Sequence, residues 1–142
     1  MNKKKLLLIA VVIAAVAGYF VWDNFLKTAP PMRKLTAEYR VNAIDLQTEF
    51  MESEEAANVK YQNKIVEVVG EVEDIEVAEG RLPVIVLKAD GFGYVKCTME
   101  SEMSSEALEK IKLNSTLVLR GECQGFLLVD VQVGRSIVIE PA

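Results

Sequence analysis

The sequence predicts a mainly β fold: a small closed barrel of five strands with one helix between the third and fourth, preceded by an apolar N-terminal helix and a short helical arm. Three observations predict it. Leu6 to Trp22 runs without a charge, residues 36–62 space their apolar side chains three to four apart, and from Lys64 the spacing changes to period two, interrupted by a single helical stretch.

The N-terminal stretch comes first. Leu6 to Leu26 is about 30 Å long as a helix, the thickness of a bilayer core. Lys3, Lys4 and Lys5 precede it, which by the positive-inside rule keeps the N-terminus cytoplasmic and sends the rest across. Leu6, Val12 and Phe20 lie within the apolar run, and Tyr19, Phe20, Trp22 and Phe25 gather at its far end, as an aromatic belt at the headgroups would. Residues 1–27 are therefore read as a single-pass membrane anchor. The competing reading is a cleaved signal, since Ala15-Val16-Ala17 has the small-x-small shape of a signal-peptidase site. These two readings place the remainder outside the cytoplasm; a buried core helix is the third reading, and it does not.

Residues 28–62 read as a spacer and arm. Thr28-Ala29-Pro30-Pro31 cannot continue a helix. Thr36 is expected to cap a helix whose apolar face is Tyr39, Ala43, Leu46 and Phe50, and Ser53 to cap a second one reaching about Gln62. The arm is expected to pack against the domain or lead into it.

Residues 63–142 form the domain proper. Val66, Val68 and Val72 alternate with Glu67 and Glu71 in a long first strand, and the apolar parity slips by Ile75 and Val77, which predicts a bulge or bend, with Gly70 inside the strand. Leu82 to Lys88 is a β-branched second strand, Ala89-Asp90-Gly91 a hairpin turn, and Phe92 to Cys97 a third strand. Ser101 to Lys112 reads as the helix, capped by Ser104 or Ser105. Thr116 to Cys123 is the fourth strand, Gln124-Gly125 the next turn, and Phe126 to Ile139 the fifth strand, with Leu127, Val129, Val131, Val133, Ile137 and Ile139 on one parity. The order β-β-β-α-β-β is that of the OB-fold, a five-stranded Greek-key barrel. Two helices before an open meander is the alternative.

Composition narrows the chemistry. Of 16 basic residues 12, and of 21 acidic residues 20, lie beyond residue 27, so the exported part carries a net charge of −8. Such a balance disfavours a phosphate-backbone partner. The chain contains no His, and with it go the commonest general base and zinc ligand. No catalytic residue, cofactor or metal site is expected.

Three stretches resemble the bacterial OB-fold family known as tRNA-anti-like: Ala57-Asn58-Val59-Lys60-Tyr61-Gln62-Asn63-Lys64 running into Val66–Val72, then Tyr94-Val95-Lys96-Cys97, then Leu119-Arg120-Gly121-Glu122-Cys123-Gln124-Gly125. The resemblance covers about residues 50 to 140. It implies the fold and a small exported or membrane-tethered protein, and carries over no functional residue. Where such proteins often have Gly before the fourth strand, this chain has Lys112-Leu113-Asn114.

OB barrels bind along their second and third strands and beneath adjoining loops. Those places hold Arg81, Lys88, Tyr94, Lys96, Gln124 and Phe126, the candidate ligand residues. An exposed Tyr94 beside lysines can stack a base or a sugar ring, although solvated strand residues give the same pattern. Cys97 and Cys123 fall on inward parity. Export permits a disulfide between them, worth about 3 kcal/mol across its 25-residue interval, and two buried thiols are the alternative. Glu71, Glu73, Asp74, Glu76 and Glu79 read as a solvated strand face rather than a cation site. The expected function is a non-enzymatic, membrane-anchored binding module of the cell envelope with a protein, peptide or glycan partner. A single-stranded nucleic-acid binder is the alternative.

Overall fold

Two compact units make up the chain, Met1–Pro30 and Pro31–Ala142. The computed structural model describes residues 2–26 and 30–141, apart from the side chains of Phe25 and Leu26. The expected contribution of Phe25 to an aromatic belt, and Lys27, Thr28 and Ala29 of the anchor end and spacer, lie outside the described residues. In the first unit α1 (Lys3–Val21) is one helix, continued by a π-turn over Trp22–Leu26. Its apolar side chains, Leu6, Val12 and Phe20 among them, are exposed on every side, as is Trp22 in the π-turn. The span Lys3–Asn24 has the length and composition to cross a membrane, and a signal sequence has the same character.

The second unit runs β1 (Tyr39–Asn42), α2 (Ala43–Glu52), α3 (Glu54–Tyr61), β2 (Ile65–Glu76), β3 (Val84–Lys88), β4 (Tyr94–Met99), α4 (Ser105–Glu109), β5 (Thr116–Leu127) and β6 (Asp130–Glu140). Strands β2-β3-β4-β6-β5 follow one another, and β5 returns to β2, closing a five-stranded barrel. The pairs are antiparallel except β4–β6, giving the OB-fold arrangement. β2 is long because it serves three neighbours, β1 along Val66–Val69, β5 along Ile65–Glu71 and β3 along Val72–Glu76. The expected bulge falls between Val72 and Asp74, where the apolar parity slips. Gly70 has a different task, since a Cβ there would lie 2.9 Å from that of Ala43, so its absence lets α2 sit close on the sheet. Val66, Val68, Ile85, Leu87, Val95, Leu119 and Val133 fill the barrel, and Leu46, Phe50 and Tyr61 of the arm join the same core.

Four local expectations are corrected. Residues 39–42 are a strand, not the first turn of a helix: β1 lies parallel to β2 with Tyr39 opposite Val66, and α2 starts only at Ala43. The free edge of β2 overrides the helical spacing by pairing this backbone. Gln124-Gly125 is no turn. Gly125, at φ +123°, sits at a register shift within β5, and the chain reverses instead at Leu128-Val129. The single apolar parity of the last strand also ends early. Val131 and Val133 point inward, Arg135 adopts φ +53°, and beyond it Ser136 and Val138 face the core in place of Ile137 and Ile139. Finally, α4 covers only Ser105–Glu109, although Ser104 caps it through a 3.1 Å bond from the Ala107 N–H, as Ser53 caps α3 through Ala56.

The end of the expected spacer belongs to the barrel. Met32 is fully buried, and its N–H donates to Glu100 Oε2 at 2.8 Å. Arg120 donates to the carbonyls of Leu35 (3.0 Å) and Arg33 (3.5 Å) while its other nitrogens hold Glu67 at 2.8 and 3.2 Å. Residues 31–35 thus form a strap laid on the barrel rather than a free spacer.

Candidate ligand-binding face

The face that OB barrels use for ligands is built here by β2, β3 and β4. Because side chains alternate along a strand, Ile85, Leu87, Val95 and Cys97 point inward and Val86, Lys88, Tyr94 and Lys96 take the opposite side of the sheet, where Val86 is itself buried. Register places Lys88 opposite Tyr94 and Val86 opposite Lys96. Together with Glu73, Asp74 and Glu76 of the bulged end of β2, Val86, Tyr94 and Lys96 line a shallow cleft of about 280 Å³. Tyr94 is 39% exposed there, and its backbone is fixed by an N–H bond to Asp130 Oδ1 at 2.8 Å.

Both lysines of this face are held by carboxylates. Lys88 Nζ lies 3.0 Å from Glu71 and 3.7 Å from Glu73, and donates to Asn114 Oδ1 at 2.7 Å. The hydrogen bond to Glu71 raises the Lys88 pKa against the opposing effect of desolvation, and the charges of Glu71 and Glu73 add to the rise. Lys96 lies 3.5 Å from Glu76 and 3.8 Å from Asp130. The cleft therefore offers an aromatic ring and carboxylates, with its one ammonium group, that of Lys96, already paired, while the paired Lys88 lies outside the cleft beside Glu71 and Ala89.

The other sequence candidates are elsewhere. Arg81 is in the β2–β3 loop beside a separate cavity of about 420 Å³ shared with Ile75, Val77 and Leu82. Gln124 lies along β5 with its side-chain amide over Gly134, and its backbone carbonyl accepts from Gln62 Nε2 at 3.5 Å. Phe126 is half-buried and stacks on Phe50, with centroids 5.6 Å apart and planes at 17°, so it belongs to the seam under α2 rather than to the face. Conversely, Asp130 carries no motif that would single it out, and only the β5–β6 reversal brings it beside Tyr94 and Lys96. Among the described residues no group of His, Cys, Asp and Glu is arranged to hold a metal ion.

Cys97 and Cys123 are free, buried thiols. Both sit opposite Val133, one from each side of β6, so two strand spacings, about 10 Å, separate their backbones. A disulfide needs Cα atoms within about 7 Å, so of the two readings left open by the sequence this spacing supports the buried thiols. Burial pushes the Cys97 pKa up to about 12 and that of Cys123 to about 11. Beneath the arm, Glu49 accepts from Tyr61 Oη and from Lys60 Nζ at 2.9 Å, and Lys60 lies over the Tyr61 ring. Burial favours the neutral Glu49, yet these two bonds and the Lys60 charge bring its pKa below the usual carboxylate value.

The model of the family described as tRNA_anti-like matches residues 1–137. Among curated proteins no relative matches the chain. Among solved structures, a lipoprotein of Klebsiella pneumoniae proposed to bind nucleic acid superposes with a TM-score of 0.57 at 14% identity, over 70% of this chain and 91% of its own. At that identity the likeness speaks for the fold alone.

Proposed function

The chain belongs to the tRNA_anti-like family, and we propose that it is a non-enzymatic, membrane-anchored OB-fold module of the cell envelope that binds a protein, peptide or glycan. In this reading α1 spans the membrane with Lys3, Lys4 and Lys5 on the cytoplasmic side, and the barrel stands outside. The observation that carries the choice of ligand is the pairing of Lys88 and Lys96 with Glu71, Glu73, Glu76 and Asp130. Phosphate recognition depends on cations that release counterions on binding, and lysines already neutralised release few. The remaining groups, Tyr94 and the carboxylates around it, suit a cationic or neutral ligand that stacks on one face.

Single-stranded nucleic acid is the second reading, supported by what the Klebsiella lipoprotein is proposed to bind. The two separate in one experiment. Intact protein is captured from its membranes and, in parallel, titrated at low salt with a fluorescent single-stranded oligonucleotide and an oligolysine peptide. Peptide binding that weakens in Tyr94→Ala is expected. Recovery of oligonucleotide alone, with binding lost in Lys88→Ala or Lys96→Ala, overturns the proposal.

A further inference from the structure

At one end of the barrel two loop tips interlock. The β3–β4 turn ends in Gly93, where a Cβ would overlap the carbonyl oxygen of Val129 in the β5–β6 turn, and Gln47 of α2 donates to that same oxygen at 3.2 Å. Three elements are thereby fixed to one another, and the surface they share is apolar. Phe92 is 92% exposed, Leu128 87%, Leu127 62% and Val129 37%; Met51 is exposed one helical turn beyond Gln47. Contiguous exposed apolar side chains on a rigid support mark a contact site.

A second, independent observation singles out Leu128. It opens the two-residue β5–β6 turn at φ +60°, in the left-handed region where Gly or Asn is the ordinary choice and a branched apolar side chain is strained. Its side chain gains nothing inside this chain, being almost wholly exposed. Strain retained at an exposed apolar residue points to use outside the molecule.

Charge decides the partner. Residues 89–95, 124–132 and 43–52, which carry the tip, contain no Lys or Arg; of their acids Glu49 is paired with Lys60 and Asp130 with Lys96 from outside these segments, which leaves Asp45, Glu52 and Asp90 to set the charge of the tip. Two copies meeting here would set acid against acid, and an anionic lipid surface would be repelled in the same way. The strap by which the chain enters the barrel binds at Glu100, past the far end of β4, about 17 Å or more along the strand from Tyr94. We propose that this tip docks a second protein that offers an apolar socket rimmed by Lys or Arg. The surface is distinct from the β3–β4 cleft, and the proposal does not rest on the function given above.

The test uses the full-length chain in its native membrane, with the photoreactive analogue benzoylphenylalanine in place of Phe92. Irradiation is expected to give an adduct with a different polypeptide, mapped to an apolar segment flanked by basic residues. Leu128→Gly should lower its yield about tenfold, as loss of one central anchor does, while leaving the melting temperature unchanged or higher, because Gly accepts the turn without strain. Asp90→Lys should lower it too. Adducts confined to lipid or to another copy of this chain, no adduct, or a yield indifferent to Leu128→Gly would each overturn the proposal.

Discussion

Met32→Ala tests whether the strap is part of the folded domain. Met32 is fully buried, and its segment is pinned at both ends, by Glu100 to its own N–H and by Arg120 to the Leu35 carbonyl. Truncating a fully buried Met to Ala removes its apolar contacts and leaves a cavity, at a cost of about 2–4 kcal/mol. In a domain of this size each kcal/mol moves the melting temperature by about 4 °C, so a fall of about 8–15 °C is expected. Circular dichroism of the full-length chain in detergent micelles measures it. Trypsin supplies a second readout, because Arg33 and Lys34 are exposed but held in a helical turn, and release of the strap should make that turn the first cleavage site. A melting temperature within about 2 °C of the parent, with cleavage at Arg33 or Lys34 equally fast in both, would refute the strap. The apolar cost and the protease readout have to move together.

Other perturbations read other parts of the fold. Gly93→Ala should destabilise by about 2–3 kcal/mol, since its Cβ meets backbone rather than a yielding side chain; denaturant midpoints measure this. Asn114 holds φ +66° and accepts from Lys88, so Asn114→Gly and Asn114→Ala both lose that exposed bond, and the Ala variant should be about 1 kcal/mol less stable than the Gly variant because only it is strained there. Raising the pH should weaken the fold. Cys97 and Cys123 have folded values of about 12 and 11 against an unfolded value near 9, so the stability they contribute is complete below about pH 9 and is lost as pH climbs through 11 and 12. Tyr61 and Lys60, both raised, act in the same direction. Urea midpoints at pH 7 and pH 10.5 test the sign, and neither thiol should react with a disulfide reagent until the protein unfolds.

How much of this fold could be read in advance depended on whether a residue's partner was near or far in sequence. The parity slip after Val72 is a local signal, and the bulge lies there. Ser53 and Ser104 cap what their neighbours start. Tyr39 misleads because its spacing from Ala43 and Leu46 is helical, while what decides its conformation is an unpaired edge opposite Val66, 27 positions away. Gly125 misleads for a related reason. A Gln-Gly pair is a good turn signal on its own, but here the glycine absorbs a register shift, and the reversal falls to Leu128 and Val129, whose composition gives no hint of a turn.

The candidate face was legible as a place and misleading as chemistry. Outward parity located Tyr94 and Lys96 from sequence, since inward Val95 and Cys97 left them no other direction. Their charge environment was not local. Lys88 meets carboxylates 15 and 17 positions back and an asparagine 26 ahead, and Lys96 is shared between Glu76 and an aspartate on β6. A lysine counted from sequence is a free cation; placed in the barrel it is one half of an ion pair. The proposed ligand preference therefore rests on strand order, because β3 and β4 carry the bases and β2 and β6, which flank them, carry the acids. If that inference is sound, reversing the flanks should matter more than removing the lysines. Glu73→Lys with Asp130→Asn should create oligonucleotide affinity that the parent lacks and make it strongly salt-dependent, whereas Lys96→Ala alone should change little. Oligonucleotide binding by the parent that Lys96→Ala abolishes would mean that the pairing with Glu76 and Asp130 does not hold in solution.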